Sequence, residues 1–437
     1  MIRAVFALTA ALWANAATAQ IEVQEITSPG GIDAWLVESR EIPFVALDVI
    51  FEGGASLDRD GKRGAVNLMT ALIEEGSGDM DAQTFQLELE NIAAEFGYDS
   101  GDDTVGVSAQ FLTETQDQAI ALLNQSLTTP RFDEAAIERV RGQVIANIRS
   151  RAQSPRDIAG DVFYAEAFGS HPYGTDLNGT LESVAALTRD DLMQAFEDTV
   201  VRDRAYVAIV GDISAEAAGA MLDDLFAGIT ESGPELPEDI SPEFNGGVTV
   251  VDFPSPQSQV MFGHSGIARD HPQFHVAYVL NELLGGSGRQ SILMEEVREK
   301  RGLTYGVYSF LAPKQHAALY LGSIASSNDK VAEAIEVIRD EWARLASGDI
   351  DPEALEAIKT YLTGAYPLRF DGNGPIASML ASMQYTGLPS DYIQTRNALI
   401  ESVTVEDIKA MAAQLMDPEA LHFVVVGQPE GLAAEEG

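Results

Sequence analysis

Thr188-Arg-Asp-Asp-Leu192 and Thr404-Val-Glu-Asp-Ile408 say the same thing twice. The first is followed, 23 residues after Thr188, by Gly211, which closes the apolar run Ala205-Tyr-Val-Ala-Ile-Val210. The second is followed, 23 residues after Thr404, by Gly427, which closes Leu421-His-Phe-Val-Val-Val426. The offset between the copies is 216 residues, and other pairs keep nearly the same spacing. Asp133-Glu-Ala-Ala-Ile-Glu138 recurs as Asp351-Pro-Glu-Ala-Leu-Glu356 at an offset of 218, and Gly54 and Gly266, each after a strand-like run, are 212 apart. A fixed order of elements at a fixed period marks an internal duplication. The chain therefore reads as two copies of one domain, spanning residues 20–228 and 248–437. Residues 229–247 read as their linker, with Gly233-Pro234, Pro237 and Pro242 set among acids and little apolar periodicity.

Within each copy, apolar strand-like runs (Phe44–Phe51, Val105–Phe111 and Ala205–Val210; Val248–Val251 and Leu319–Ile324) alternate with helical patterns. Val331, Ile335, Ile338, Trp342 and Leu345 form an apolar stripe at helical spacing. Asp133 and Asp351 stand where a carboxylate can cap free helix amides, and Ser327 reads as a cap of the same kind. The expected fold is α+β, two homologous domains each with a largely antiparallel sheet covered by helices.

Composition narrows the function. The 437 residues hold 68 Asp+Glu against 27 Lys+Arg, a formal charge of −41, so nucleic acid is not an expected partner. There is no cysteine, which removes disulfides, thiol nucleophiles and cysteine-based zinc sites. At the start, Met1-Ile2-Arg3, the apolar run Ala4–Ala14 and the small residues of Ala17-Thr18-Ala19 form the three-part pattern of a secretory signal. Cleavage is expected after Ala19 and export to the periplasm follows; no later run is long enough for stable membrane insertion.

The residues alone offer no complete catalytic set. Of the six histidines none belongs to H-E-x-x-H or its inverse; His271 and His275 are four apart but begin a helix at Pro272, with no general-base carboxylate between them. Ser265 lacks the spacing of a nucleophile elbow. Gly285-Gly-Ser-Gly288 is not followed by the Lys-Ser/Thr of a phosphate loop and reads as a flexible connection ahead of a helix.

The longer stretch Gly285-Gly-Ser-Gly-Arg-Gln-Ser-Ile-Leu-Met-Glu-Glu-Val-Arg-Glu-Lys-Arg-Gly-Leu-Thr-Tyr-Gly-Val-Tyr-Ser309 resembles the second-half signature of the pitrilysin-like zinc peptidases. His171-Pro-Tyr-Gly174 with Gly179-Thr180, and Phe51-Glu-Gly-Gly-Ala-Ser56 leading to Gly64, are similar to further family segments. Active members of that family carry H-x-x-E-H on a helix beyond the Gly-Ala-Ser strand end. Alignment on Gly64 and Gly76 puts Asn67 and Ala71 at the histidine positions and Thr70 at the catalytic glutamate. The distant third ligand corresponds to Asn147, and its supporting acid to Val140. An amide, a methyl and a second amide do not hold zinc against water, so no cofactor is expected in this chain.

Arg298 and Tyr305 match the Arg/Tyr pair that the family sets over the zinc from the opposite domain, where a guanidinium and a phenol can hydrogen-bond a scissile carbonyl. The resemblance thus implies the non-zinc-binding subunit of a heterodimeric zinc endopeptidase, with zinc in a homologous partner and two such chains closing as a clamshell around peptide substrates. It also implies a weaker role for Gly285, Gly286, Ser287 and Gly288 in lining the peptide channel. Two other readings stand beside it: a non-catalytic peptide-binding or scaffold protein of the same fold, and an autonomous peptidase using ligands such as His271 and His275.

Overall fold

The computed structural model describes residues 21–432 apart from Asn245, Ser287 and Arg289; the signal sequence lies outside the described residues. The first half runs β1 (Gln24–Thr27), β2 (Asp33–Glu38), β3 (Phe44–Glu52), the short helix α1 (Ala65–Thr70), and a hairpin of β4 (Gly76–Ser77) and β5 (Met80–Asp81). It continues through α2 (Ala82–Asn91), β6 (Glu95–Ser100), β7 (Thr104–Leu112), α3 (Gln116–Ser126), α4 (Glu134–Arg151) and α5 (Pro155–Phe168). Helices α6 (Leu181–Ala186) and α7 (Arg189–Thr199), strand β8 (Ala205–Gly211) and α8 (Ala215–Leu225) complete it. The second half opens with β9 (Gly247–Asp252), β10 (Gln257–Ser265) and α9 (Phe274–Leu284). After a π-helical stretch, Met294–Glu299, come β11 (Thr304–Pro313) and β12 (Ala318–Ser327). The helices α10 (Val331–Ala346), α11 (Pro352–Ala365), α12 (Asn373–Tyr385), α13 (Tyr392–Ser402) and α14 (Val405–Leu415) then lead to β13 (His422–Gly427).

The two sheets repeat one topology. The first is ordered β1-β2-β8-β3-β7-β6 and the second β11-β12-β10-β13-β9. Each contains a single parallel pair, β2 with β8 and β13 with β9, and is otherwise antiparallel. The repeated sequence elements do equivalent work in both. Thr188 and Thr404 each open a helix with a capping box, the hydroxyl accepting from the amide of Asp191 or Asp407 while that carboxylate accepts from the threonine amide. A Cβ on Gly54 would come within 2.4 Å of Gly101 O, and one on Gly266 within 2.4 Å of Leu319 C, so both mark the point where a central strand passes against its neighbour's backbone.

Local expectations hold unevenly. All five members of the Val331–Leu345 stripe are buried on α10. Asp351 caps α11 by accepting from the amide of Glu353 at 2.9 Å. Asp133 occupies the same position before α4 but makes no side-chain cap; its carboxylate turns to Arg131 Nε, 2.8 Å away. Ser327 ends β12, and α10 begins beyond Lys330 without a side-chain cap. An ion pair competes with the cap in one case, and strand pairing claims the residue in the other.

The halves share their covering layers, which periodicity does not reveal. One face of the first sheet packs on its own helices, with Val45, Leu47, Val49 and Phe51 of β3 in that core. The other face, carrying Ala46, Ala208 and Val210, is covered by α12 from the second half through Ile376, Ala377, Leu380 and Ala381. Reciprocally, α5 of the first half lays Ala159, Phe163 and Ala167 on Leu319, Leu321, Val424 and Val426 of the second sheet. Both faces being covered explains why β3 reads almost continuously apolar rather than alternating.

Asp48 interrupts that run. It alternates in phase with Ala46 and Ile50, and burial, reinforced by nearby Asp99, raises its carboxyl to about 6. A carboxyl raised on folding favours the native state below its unfolded value and disfavours it as pH climbs through the folded value. Stability is therefore expected to fall between about pH 4 and pH 6 on this residue's account. Asp48→Asn is expected to add on the order of 2 kcal/mol at neutral pH and little at pH 3; urea titrations at the two pH values check it, and an equal effect at both would contradict the assignment.

Candidate functional site

The segment after β3 is shaped by Asp58, whose carboxylate accepts from the amides of Gly64 (2.7 Å) and Val66 (2.9 Å) and so satisfies the start of α1 from a distance. That helix carries the positions aligned with the zinc motif. Asn67 donates through Nδ2 to Asn178 Oδ1 at 3.2 Å, while its own Oδ1 accepts from Ser100 Oγ at 3.1 Å. Thr70 is buried and donates to the carbonyl of Val66 at 2.9 Å. The helix ends there, leaving Ala71 as an exposed C-cap. Asn147 lies on the exposed side of α4, and Val140 sits in the core. Glu75 is ion-paired with Arg139, and Glu74 is exposed. The donor set is wrong for zinc, and the amide oxygen nearest to serving is already engaged. Among the described residues no group of three or more His, Asp or Glu side chains is arranged to hold a metal. His271 and His275 flank the start of α9, where His271 Nδ1 accepts from the Gln273 amide at 3.1 Å.

Arg298 and Tyr305 are presented very differently. The π-helical stretch buries Met294 and Val297 in the second core and turns Arg298 outward, where it pairs with Glu299 at 2.6 Å. That pair is partly solvent-exposed and holds the guanidinium only weakly. Wide π turns are rare and recur at working sites. Gly302, at φ +62°, ends the helix and swings the chain into β11. Between Thr304 and Val307 the register of β11 against β12 slips by one residue. Thr304 Oγ1 fixes this bulge, donating to Ala325 O at 2.6 Å and accepting from Gly306 N at 3.0 Å. A bulge re-aims side chains, and Tyr305 on it is 87% exposed. Since β11 is the edge of its sheet, Tyr308 and Phe310 are also open to solvent further along it.

The glycine loop packs beside this strand. Gly285 O accepts from the Ser309 amide at 2.7 Å, and any Cβ there would strike Ser309 Oγ. A Cβ on Gly286 would meet the Glu282 carboxylate. Gly288 follows, and Ser287 lies outside the described residues. Two of these glycines thus have a steric reason to be glycine, apart from any contact with peptide.

Two features were not foreseen from the residues. The turn joining β11 to β12 plugs into the first half. Lys314 pairs with Asp102, the Gln315 amide donates to Asp103 Oδ2 at 3.2 Å, and Gln315 Nε2 donates to Glu52 Oε1 at 2.8 Å. Tyr173 of the His171–Gly174 segment donates to Asp103 Oδ1 at 2.6 Å and accepts from the His316 amide at 3.1 Å. Beside this latch, α5 and the second sheet enclose a cleft of about 510 Å³ whose walls include Tyr164, Met261, Tyr308 and Arg151. Arg151 is held there by Asp157, Asp161 and Asp176 at 3.1, 2.8 and 2.9 Å. The signal for the latch was the polar Lys314-Gln315-His316 triplet between two strand-like runs, an unusual place for three hydrogen-bonding side chains.

Comparison with known proteins agrees with this geometry. Residues 35–181 match the insulinase family, peptidase family M16, and residues 186–362 match the peptidase M16 inactive domain. A protein of Helicobacter pylori named non-peptidase homolog YmxG is 26% identical over 396 residues, covering 89% of this chain and 90% of its own. The probable mitochondrial-processing peptidase subunit beta of Schizosaccharomyces pombe is 23% identical over 434 residues, covering 95% and 94%. The crystal structure of a peptidase M16 inactive domain from Pseudomonas fluorescens superposes with a TM-score of 0.87 at 26% identity, covering 95% of this chain and 99% of that one.

Proposed function

Since the chain belongs to the M16 peptidase family as an inactive member, we propose that it serves as the zinc-free subunit of a heterodimeric endopeptidase acting on peptides in the periplasm. Its homologous partner holds the metal and the general base. This chain supplies Arg298 and Tyr305, whose guanidinium and phenol donate hydrogen bonds to the scissile carbonyl oxygen and tighten as that oxygen gains charge. One observation carries the reading: a phenol left 87% exposed on a bulged edge strand, seven residues beyond a partly exposed guanidinium, in a chain whose described residues gather no group able to hold a metal. The exposed phenol has little packing to do in this chain, and a second subunit gives it an object.

The test is reconstitution. The purified chain, a zinc-bearing homologue from the same organism, and an equimolar mixture are each offered a quenched peptide library. Turnover is expected from the mixture at a rate at least about tenfold above either component. A mixture no faster than the homologue alone overturns the proposal. A second reading, a non-catalytic peptide-binding or scaffold protein, is favoured by the name borne by the Helicobacter relative; a stable complex without any gain in rate would select it.

A further inference from the structure

A second cavity of about 510 Å³, whose wall does not include Arg298 or Tyr305, opens between α9, α12 and α13. Most of its wall is apolar or aromatic, including Phe274, Tyr278, Leu311, Met383 and Tyr392. Three arginines converge on it: Arg269, Arg369 and Arg396. In a chain with 68 acids and 27 bases, that gathering runs against the overall charge. More telling, none of the described residues brings a carboxylate oxygen within 4.0 Å of any of the three.

Arg396 is the decisive case. It is only 6% exposed, the one arginine buried to that degree among the described residues. Its guanidinium lies over the rings of Tyr366 and Tyr278, 4.2 and 5.7 Å from their centroids. Its Nη1 donates to Leu362 O at 3.2 Å and to Asn397 Oδ1 at 3.1 Å. Those are neutral acceptors. A guanidinium taken out of water is normally matched by a carboxylate or phosphate, because its charge otherwise loses its hydration without replacement. Glu282 also lines the cavity, but it is one acid facing three cations, and burial raises its carboxyl against the pull of Arg369 and Arg396.

We infer that this cavity binds a carboxylate carried on an apolar body, with Arg396 and Arg369 receiving the carboxylate and the aromatic wall receiving the rest. The planar fork of arginine suits a carboxylate, and a mostly apolar pocket with a few convergent polar groups is the usual form of a small-ligand site. Two sources share this chemistry, a free aliphatic acid and the C-terminus of a hydrophobic peptide.

Calorimetry on the full-length mature chain separates them. The probes are decanoate against decanol, and a short peptide ending in phenylalanine as the free acid against its amide. One carboxylate probe is expected to bind saturably, one per chain, at least about tenfold more tightly than its neutral counterpart. Decanoate as the binder identifies the free acid, and the peptide acid identifies the C-terminus. Arg396→Met should weaken that binding about tenfold or more. Should that variant not fold, exposed Arg369→Ala and exposed Ser382→Trp on the cavity wall carry the test, each expected to weaken binding several-fold. The inference is overturned if neither carboxylate binds, if the neutral probes bind equally well, or if folded variants bind like the parent.

Discussion

Replacing Arg298 by alanine and Tyr305 by phenylalanine together is expected to slow peptide cleavage by the reconstituted pair on the order of 10²–10³-fold. The assembly itself should survive. Tyr305→Phe removes one hydroxyl from a ring that is 87% exposed. Arg298→Ala gives up a partly exposed ion pair with its neighbour, Glu299, and the packing of a side chain outside both hydrophobic cores. Neither change touches Met294 or Val297, which anchor the π-helical stretch. The loss should fall on kcat, with KM little altered, because the hydrogen bonds concerned strengthen in the transition state. Arg298→Lys retains charge without the fork and should recover only part of the rate. Steady-state kinetics with assembly checked by light scattering decides the matter; an undiminished kcat in an intact complex would remove both side chains from the mechanism.

The second large effect concerns the exchanged helices. Phe163→Ala on α5 is expected to cost about 3–5 kcal/mol, the usual loss for a fully enclosed aromatic. Phe163 has no exposed surface, and its ring lies 5.0 Å from that of Phe244 and 6.1 Å from His422. The residue belongs to the first half, but the layer it completes belongs to the second sheet. Destabilisation should therefore spread to both halves. Two tryptophans report on them separately, Trp35 on β2 and Trp342 on α10. In denaturant, variants keeping one or the other are expected to show coincident transitions, before and after Phe163→Ala. A Trp342 transition that moves while Trp35 stays put would show the halves to be independent.

The fold class was legible because a duplication announces itself by spacing, and the spacing survives even where residues differ. Strands β3, β7 and β8 and the stripe of α10 were legible for the ordinary reason that one period suits each element. What stayed hidden was ownership. The near-continuous apolar run of β3 says that both faces are covered but not that α12, more than 300 positions later, covers one of them. The π turn and the bulge around Arg298 and Tyr305 carry no local signature beyond Gly302, since both are one-residue insertions whose cost is met by tertiary contacts. That Asn67, Thr70, Ala71 and Asn147 are poor zinc donors could be read from the residues alone, because absence of a donor is a property of residue type. The arginine-lined cavity could not, as it sets α9 and β11 against the much later run from the turn after α11 through α13.

The reciprocal placement of α5 and α12 also bears on how such a molecule can arise and be cut. A half-length polypeptide with this layout would leave the apolar back of its sheet bare and would need a sister copy to supply the missing lid. The full chain is in that sense a tethered pair whose members each wear a piece of the other, and severing residues 229–247 should leave two fragments that stay together rather than two free domains.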